Sequence, residues 1–591
     1  MTATLLSLPL PAPKKEASSQ DHKHWGQLQG SSAALCISQA LSQYKGPIVL
    51  ITADTPSAMK LEKEIAFFLS DNTKHTPITL FPDWETLPYD SFSPHQDIVS
   101  QRLETLFRFT QQGEGIFIVP VNTLMQRLAP TDYLAKYLLM LNKGDTLDRD
   151  QFRRNLEQAG YLHVSQVMSH SEFSVRGSII DLFPMGSDQP FRIDLFDDEI
   201  DSIRYFDTET QRSGEAVNEI RLLPAREFPT DKEAITLFRQ QFLEKFDANN
   251  ASESVFSQVS KGTMPSGVEY YLPLFFEKTA TLFDYLHPKS LLLLHGDVQD
   301  ASEFFWADVQ ERYEQYRYNL ARPLLAPDEL FLPINELFGA IKQWPRASLS
   351  SKVLEEKSGT SNLQCEKLDD IAINSQKKVP AERLIKTVNQ ATDNGAKVLF
   401  CAETQGRREG LLTVLAKAGI KPKIVDSFSD FIASHDNIGI TVGMVDNSFR
   451  WQTEEGELLF ITETELLGQK VSQRRLRDKR TATDESAIIR NLAELSIGQP
   501  VVHLDHGVGR YLGLQTLDAG GVTTEYLCIE YAKQSKLYVP VASLHLISRY
   551  TGGDADSAPV SALGSDAWTK AKQKAAEKVR FVAAELLDVY A

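Results

Sequence analysis

Nucleotide hydrolysis requires a motif with fixed residue types and spacing. A P-loop needs glycines whose backbone amides wrap phosphates, a lysine for the β and γ phosphates, and a serine or threonine for magnesium. The chain contains no Gly-Lys dipeptide. Ahead of the first expected helix, the candidate loop residues are Gly26, Gly30, Ser31 and Ser32. This segment lacks the lysine, so we interpret it as a degenerate nucleotide loop and expect no catalytic residue.

Two other groups of residues are similar to catalytic or metal-binding motifs. Asp198-Glu-Ile-Asp201 has the spacing of a helicase DExD box, but it lies in an alternating segment and has no P-loop partner. We interpret it as a solvated acidic turn. His503 and His506 suggest a metal site, yet their odd spacing on a strand would point the two rings to opposite faces. We therefore expect no metal site.

Partner binding is indicated by a strand with two-residue alternation. One face of this strand has the apolar residues of a core, Phe191, Ile193 and Leu195. The other face has Arg192, Asp194 and Phe196, and Arg176 on the preceding strand could join them. Arginine beside an aromatic ring is typical of interface hot spots. The alternative interpretation is that Phe196 packs beneath a neighbouring domain while the arginines form surface salt bridges.

Two further segments leave alternatives open. Leu517 precedes Asp518-Ala-Gly-Gly521, a hairpin-turn signal, and is either a core residue or an exposed contact. The run of residues 470–480 is strongly basic, with a single acid, Asp478. It is either a solvated linker helix or a nucleic-acid contact.

Composition narrows the class of protein. Lysine and arginine number 62 against 79 aspartates and glutamates, and the net charge of −17 excludes a surface built throughout to neutralise phosphates. The 4 cysteines form no C-x-x-C pair, which indicates a reducing compartment rather than a disulfide framework. The first residues do not have the order of a secretory signal, and no apolar run reaches membrane-spanning length. We expect a cytoplasmic protein without a membrane span.

The rhythm of hydrophobic residues predicts several domains. At about 150 residues per domain, 591 residues make about four. Helical patterns alternate with apolar strands at residues 47–52 and 115–120, which predicts a parallel sheet flanked by helices. Short strands between residues 489 and 552 predict a small closed barrel. Residues 566–591 form an amphipathic pattern without a cap, so we expect the sequence to be the front part of a longer one.

Long strings in the chain resemble the amino-terminal half of the bacterial transcription-repair coupling factors (Mfd). The segments that carry the resemblance are Trp84-Glu-Thr-Leu-Pro-Tyr-Asp-Ser-Phe-Ser-Pro-His-Gln-Asp97, Val119-Pro-Val-Asn-Thr-Leu-Met-Gln-Arg127, Arg176-Gly-Ser-Ile-Ile-Asp-Leu-Phe-Pro-Met-Gly186, Phe196-Asp-Asp-Glu-Ile-Asp201, Arg490-Asn-Leu-Ala-Glu-Leu495 and His506-Gly-Val-Gly-Arg-Tyr511. The match covers the whole chain.

The resemblance implies an α/β multidomain fold with a degenerate UvrB-like, P-loop-like parallel sheet core. The expected regions are a flexible N-terminus (1–24), the UvrB-like α/β domain in two parts (25–137 and 225–350) around a β-rich UvrA-binding insert (138–224), a linker (351–380), a small α/β domain (381–467), a basic linker (468–488), a CarD-like, Tudor- or SH3-like barrel (489–552) and a connector helix (553–591).

The resemblance also implies partners and contact residues. In this family the β-rich insert binds UvrA, and by motif position Arg176, Arg192 and Phe196 fall on the contact residues. The barrel is similar to the module that binds the β subunit of RNA polymerase, and Leu517 falls on its hydrophobic contact position. No cofactor is expected in this chain. ATP, magnesium and most DNA contacts belong to the family's motor, which is expected downstream of the connector helix.

The function implied is that of a non-catalytic adaptor in transcription-coupled repair, which holds stalled RNA polymerase and recruits UvrA. The family's C-terminal domain covers the UvrA-binding face, so we expect this chain to leave the face exposed. One alternative is an active UvrB-like helicase, against which the missing lysine argues. Another is a transcription regulator that uses only the barrel, which leaves residues 1–350 unexplained.

Overall fold

The chain, seen in a computed structural model, divides into two compact units. The first unit is Met1–Val471 and the second is Ser472–Ala591. The structure describes residues 8–11, 21–69, 76–111, 115–208, 210–246, 254–368, 371–373, 381–453, 456–467, 498–503, 506–518, 523–540, 547–549 and 560–561. Within these ranges the strands of the first unit form four sheets and those of the second unit form one.

The strands of the first unit follow each other in chain order. They are β1 (His22–Gly26), β2 (Ile48–Thr52), β3 (Ile78–Leu80), β4 (Ile116–Pro120), β5 (Leu139–Asn142), β6 (Leu162–His163), β7 (Glu172–Arg176), β8 (Ile179–Leu182), β9 (Phe191–Phe196), β10 (Glu199–Phe206), β11 (Ser213–Val217), β12 (Glu219–Leu222), β13 (Leu291–His295), β14 (Arg346–Leu349), β15 (Thr360–Asn362), β16 (Cys365–Glu366), β17 (Lys397–Ala402), β18 (Lys423–Ile424), β19 (Ile438–Val442), β20 (Phe449–Thr453) and β21 (Gly456–Thr462).

The helices of the first unit lie between these strands. They are α1 (Ser32–Gln43), α2 (Thr55–Leu69), α3 (Gln96–Gln111), α4 (Val121–Leu124), α5 (Thr131–Tyr137), α6 (Arg149–Gln158), α7 (Lys232–Lys245), α8 (Val255–Ser260), α9 (Leu282–Tyr285), α10 (Val298–Tyr316), α11 (Pro327–Leu330), α12 (Ile334–Ile341), α13 (Glu382–Asp393), α14 (Gln405–Lys417), α15 (Phe428–Ala433) and α16 (Glu463–Leu467). Residues Val268–Phe275 form a 3₁₀ helix.

The largest sheet is parallel throughout and has the strand order β15-β1-β14-β13-β2-β4-β3. Its central strands β2 and β4 are apolar and fully buried, as parallel strands covered on both faces must be. Alternate residues enter two different cores: Val49 and Ile51 face α3, while Ile48 and Leu50 face α1 and α2. The prediction of a parallel sheet flanked by helices is confirmed.

The insert forms a sheet of its own with the order β11-β10-β9-β8-β7-β6, and a separate antiparallel pair joins β12 to β5. Neighbouring strands are antiparallel except β6 and β7. The inner face of the sheet buries Ile180, Ile193 and Leu195 in the same core that receives Val49 from the main sheet. The insert is therefore packed firmly on the first unit by one face.

A buried ion pair lies between helix α3 and the chain that follows β12. Arg102 donates to the Glu227 carboxylate at 2.6 and 3.1 Å and to the Pro82 carbonyl oxygen at 2.8 Å. Trp84 donates its indole N–H to the same carboxylate at 2.9 Å. Because neither charged side chain is exposed, each depends on the other for its solvation.

Residues 381–467 contribute a third sheet with the order β16-β20-β21-β17-β19-β18. Phe67 and Phe68 of α2 pack edge-on and tilted against Phe428 and Phe460, with ring centroids 5.1 to 6.3 Å apart. Helix α2 is thus shared by the main sheet and the third sheet. Within the predicted linker, β15 extends the main sheet and β16 extends the third sheet.

The second unit contains an antiparallel sheet with the order β25-β24-β23-β22-β26. Its strands are β22 (Pro500–His503), β23 (Gly507–Asp518), β24 (Thr523–Glu530), β25 (Lys536–Pro540) and β26 (Ile547–Arg549). A short 3₁₀ helix, Ala532–Gln534, joins β24 to β25. The predicted short strands are confirmed, whereas their closure into a barrel and the domain boundaries remain predictions.

Several predictions concern residues outside the described ranges. These are the basic run 470–480 with the linker 468–488, most of the N-terminus 1–24, and nearly all of the connector 553–591. All four cysteines, Cys36, Cys365, Cys401 and Cys528, are buried free thiols. No helix in the described part of the chain is long and apolar enough to cross a bilayer.

Candidate interaction site

Arg176, Asp181, Arg192 and Phe196 form what we call the insert surface, on the outer face of the insert sheet. Arg176 pairs with Ile179 across the β7–β8 hairpin, and Asp181 pairs with Arg192 across β8 and β9. Directly paired residues, and residues two apart on one strand, project to the same face. The structure therefore brings together the three side chains that sequence analysis grouped, and adds Asp181 between them.

Two tight turns place the ends of this surface. Gly177, which follows Arg176, has φ +63°, and Asp197, which follows Phe196, has φ +54°. Two-residue hairpin loops favour such left-handed conformations, which glycine and aspartate adopt most readily. Each turn ends a strand, so Arg176 and Phe196 are the last residues of β7 and β9, at the end of the sheet.

The Asp181 carboxylate is fully buried and accepts hydrogen bonds from both arginines. One carboxylate oxygen lies 2.7 Å from Arg192 Nε, and the other lies 3.0 Å from Arg192 Nη2 and is also bonded by Arg176 Nη2. The bond with Asp181 raises the pKa of Arg192 above its usual value. The carboxylate therefore holds both guanidinium groups in fixed orientations.

The side chains of the insert surface differ in their exposure to solvent. The side chain of Arg176 is 50% exposed and that of Arg192 is 18% exposed. Phe196 is 75% exposed, so the alternative in which it packs beneath a neighbouring domain does not hold for this chain. The other half of that alternative, salt-bridged arginines, is correct for both residues. An exposed phenyl ring beside a fixed cation suits binding to another protein.

Asp181 is the residue that sequence analysis missed. It was read only as part of the string from Arg176 to Gly186, although it is the single acid among apolar residues on β8. An isolated carboxylate in an apolar strand needs a partner, and this was the available signal. Identifying that partner as Arg192 requires the register of β8 and β9, which the sequence does not contain.

The segment that we interpret as a degenerate nucleotide loop lies between β1 and α1. Gly26 ends the strand, and Gly30, Ser31 and Ser32 lead into the helix. Gly30 has φ +60°, and a Cβ at this position would lie 2.3 Å from the Ser448 carbonyl oxygen. Residues 446–448, which precede β20, therefore lie directly against the loop.

Polar contacts connect the loop to residues 446–448. Ser31 donates its hydroxyl proton to Glu64 on α2 at 2.7 Å and accepts from the Asn447 amide at 3.2 Å. The Asp446 amide lies 3.3 Å from the same Glu64 oxygen. Burial raises the pKa of Glu64, while Lys60, 3.7 Å away, opposes that rise. Ser31 directly follows Gly30, where a P-loop has its lysine, and its hydroxyl is bonded within the protein.

A cleft of about 610 Å³ opens beside the loop, near the carboxyl ends of β1, β13 and β14. Its lining includes Gly30, His295, Lys352 and Lys367. Burial, assisted by Lys60, lowers the pKa of His295 to about 4. At neutral pH His295 is therefore uncharged, and the two lysines supply the positive charge of the lining.

The two histidines considered for a metal site lie differently from the prediction. We predicted that His503 and His506 point to opposite faces of one strand, and this is wrong, because β22 ends at His503 and β23 begins after His506. The two strands are antiparallel, and the ring centroids of the histidines lie 4.7 Å apart. Among the residues placed by the structure, no three His, Cys, Asp or Glu side chains gather as metal ligands.

The remaining predicted positions lie in exposed or incompletely described places. Asp198, Glu199 and Asp201 are exposed, as predicted, but only Asp198 lies in the β9–β10 turn, since Glu199 and Asp201 belong to β10. Leu517 lies on β23, with its backbone paired to Thr524, and its side chain is outside the described set. Whether Leu517 is a core residue or a contact stays a prediction.

Three family models match parts of the chain. The UvrB interaction domain matches residues 139–228, which include the whole insert surface. The MFD D3 domain matches residues 391–466, which form most of the third sheet. The CarD-like/TRCF RID domain matches residues 495–551, which contain the sheet of the second unit.

Curated relatives match nearly the whole chain. A transcription-repair-coupling factor of Escherichia coli is 48% identical over 96% of this chain, and one of Haemophilus influenzae is 47% identical over 97%. A Bacillus subtilis transcription-repair-coupling factor is 28% identical over 95%. These matches cover 48%, 49% and 48% of the relatives, so the chain spans about half their length. The resemblance to the amino-terminal half of the transcription-repair-coupling factors is thereby confirmed along almost all of these residues.

Proposed function

We propose that this chain is an adaptor in transcription-coupled DNA repair, which binds UvrA through the insert and the β subunit of RNA polymerase through its second unit. The observation that carries the proposal is that the exposed Phe196 lies on the same face of the insert sheet as Arg176, inside the region matched by the UvrB interaction domain. A chain that holds two partners raises the effective concentration of each near the other, without a new contact between them.

In this proposal the insert surface contacts UvrA. Arg176 makes charge-assisted hydrogen bonds, and Phe196 supplies an apolar anchor whose burial gains affinity because the ring is exposed beforehand. Arg192 completes the surface. The direct evidence for this role is positional: all three residues lie on one outward face, while the opposite face is fixed in the core.

The proposed contact with RNA polymerase rests on the second unit. Its sheet lies within the residues matched by the CarD-like/TRCF RID domain. We propose that the sheet closes as a Tudor- or SH3-like barrel and that Leu517, next to the turn that joins β23 to β24, fills a groove on the β subunit. An apolar residue beside a tight turn is well placed to reach a partner.

We also propose that the degenerate nucleotide loop binds no nucleotide and that this chain works without ATP or magnesium. Its sequence lacks the P-loop lysine, and residues 446–448 lie against Gly30 and Ser31. ATP-driven translocation and most DNA contacts would belong to the other half of the family's length. Binding of labelled ATP to this chain at micromolar affinity would instead favour the rival, an active UvrB-like helicase.

The test of the adaptor is the affinity of the chain for purified UvrA at two salt concentrations. The matched variant changes Arg176→Ala, Arg192→Ala and Phe196→Ala together. We expect binding that weakens with salt and that the triple variant abolishes, with the fold of the variant checked by circular dichroism. If the folded unmodified chain does not bind UvrA, the insert surface has another role.

The complementary test concerns RNA polymerase. We expect the isolated β subunit to retain the chain, and Leu517→Ala to weaken that binding without changing the affinity for UvrA. Equal retention of both chains by polymerase would remove Leu517 from the contact.

Cytoplasmic location is part of the same proposal, since both proposed partners act on the chromosome.

A further inference from the structure

We propose that Asp181 and Arg192 are positioning residues of the insert surface, and that Arg176 is the cation that UvrA meets. This inference rests on the proposed function, because it divides the roles within the same surface. Sequence position treats the two arginines alike, whereas their surroundings in the structure are unlike.

The donors of Arg192 are almost all used within the insert. Nε and Nη2 bond the Asp181 carboxylate at 2.7 and 3.0 Å, and Nη1 bonds the Gln211 carbonyl oxygen at 3.1 Å and Ser213 Oγ at 3.2 Å. A guanidinium has five N–H donors, and these bonds engage four of them. The group also lies over the Phe206 ring, 5.1 Å from its centroid. Little remains for a partner.

Arg176 is arranged in the opposite way. Among the described residues it makes one side-chain hydrogen bond, from Nη2 to Asp181, and its side chain is 50% exposed. That bond ties one end of the guanidinium and leaves its other donors available in a half-exposed side chain. A carboxylate of a partner can accept from them in the planar geometry that arginine prefers.

Asp181 connects the two arginines. Its carboxylate is fully buried and accepts hydrogen bonds from both guanidinium groups. Arg192 holds Asp181 in position, and Asp181 in turn fixes the orientation of Arg176. Ordering a long arginine side chain before binding lowers the entropy lost on association. The surface fits a partner with a carboxylate close to an apolar pocket for Phe196.

Salt dependence separates a contact residue from a positioning residue. A charge that meets a charged partner contributes to the salt slope of the affinity, whereas a positioning residue changes affinity at every salt concentration alike. We expect Arg176→Ala to weaken UvrA binding and to flatten its salt dependence. We expect Asp181→Asn to weaken binding about tenfold with the salt slope kept.

The matched variant is Arg192→Lys, which keeps the charge and removes the planar fork. It is expected to weaken binding about as much as Asp181→Asn. The double variant should bind no more weakly than either single variant, because both substitutions disrupt the same Asp181–Arg192 pair. Asp181→Glu should restore part of the loss. Wild-type affinity in Arg192→Lys, or a flattened salt slope in Arg192→Ala, would overturn the division of roles.

A second readout needs no partner. In NMR spectra of the chain, the Nε proton of Arg192 should exchange slowly with solvent and that of Arg176 quickly. Equal fast exchange of both would refute the inference even where UvrA binding is intact. Absence of binding by the wild-type chain would refute the proposed function, and the exchange rates would still decide whether Arg192 is held as described.

Discussion

Asp181 on the insert and Glu64 beneath the degenerate loop are both buried carboxylates that hold polar neighbours in place. Around Glu64 the neighbours are Ser31, Lys60 and the amide of Asp446, and residues 446–448 lie over them. Around Asp181 the neighbours are two arginines, and Phe196 beside them stays 75% exposed. Both regions thus contain a buried carboxylate. The loop beside Glu64 is covered by the protein's own residues 446–448, whereas the insert surface around Asp181 remains open to a partner.

The difference lies in where the hydrogen-bond partners come from. At the loop, Asn447 is 416 residues away from Ser31 along the chain, so the contact forms only when the first unit is complete. At the insert, Arg176, Asp181 and Arg192 come from three consecutive strands. A locally built site can stay open, because its groups are satisfied without covering them.

The largest expected effect is on the scaffold that both regions share. Arg102→Ala should lower the free energy of unfolding of the first unit by about 3–5 kcal/mol, because Glu227 would be left buried without its counter-charge. Urea unfolding followed by tryptophan fluorescence measures this. The control is Arg153→Ala, which removes an exposed pair with Glu157 and should change stability by less than about 0.5 kcal/mol. Equal small effects would show that the buried pair is not structural.

The next effect tests the open region. Phe196→Ala should weaken UvrA binding by about 2 kcal/mol, roughly thirtyfold, since exposed aromatic anchors dominate such interfaces. Isothermal titration measures it, and the melting temperature should be unchanged. Phe304→Ala is the matched control, because Phe304 is 79% exposed on α10, outside the insert. A similar loss in Phe304→Ala would mean that general surface hydrophobicity, and not this site, drives binding.

The loop around Gly30, against which residues 446–448 lie, is tested by Gly30→Ala. The new Cβ would meet the Ser448 carbonyl oxygen at 2.3 Å and would force an unfavourable φ, so we expect a loss of about 2 kcal/mol in stability with UvrA affinity unchanged. Gly395→Ala has a similar positive φ and open space around its Cβ, and should cost about 1 kcal/mol. If the two substitutions destabilise equally, the contact with residues 446–448 contributes nothing.

The smallest effect is a pH dependence beside the closed loop. The pKa of His295 is lowered from 6.5 to about 4, so between these values the unfolded chain binds more protons and stability falls as the pH falls. The raised pKa of Glu64 acts in the opposite direction. His295→Gln should reduce the loss of stability between pH 6.5 and pH 5.5 by roughly 1 kcal/mol. Identical pH profiles of the variant and the wild type would show that His295 is solvated.

Local sequence patterns predicted the strands and the faces of the insert. Alternation placed Phe191, Ile193 and Leu195 inside and Phe196 outside, and the structure agrees because each residue's face depends only on its neighbours along one strand. The apolar segments at residues 47–52 and 115–120 are likewise buried central strands, β2 and β4.

Features that depend on contacts between strands, or on a change in the direction of the chain, were predicted wrongly or were not predicted. The partnership of Asp181 depends on the register of β8 and β9. The neighbouring rings of His503 and His506 depend on a turn that spacing alone did not reveal. The contact between Ser31 and Asn447 joins two sheets and leaves no local trace in either segment.

Helix α2, with Phe67 and Phe68 packed on Phe428 and Phe460, belongs to two sheets at once. The family model for residues 391–466 draws a boundary in sequence, but these rings cross it. A protein cut after residue 380 would expose the aromatic face of α2 to water and would be prone to aggregate. The two regions therefore share one packed interface, although each has a recognisable sequence of its own.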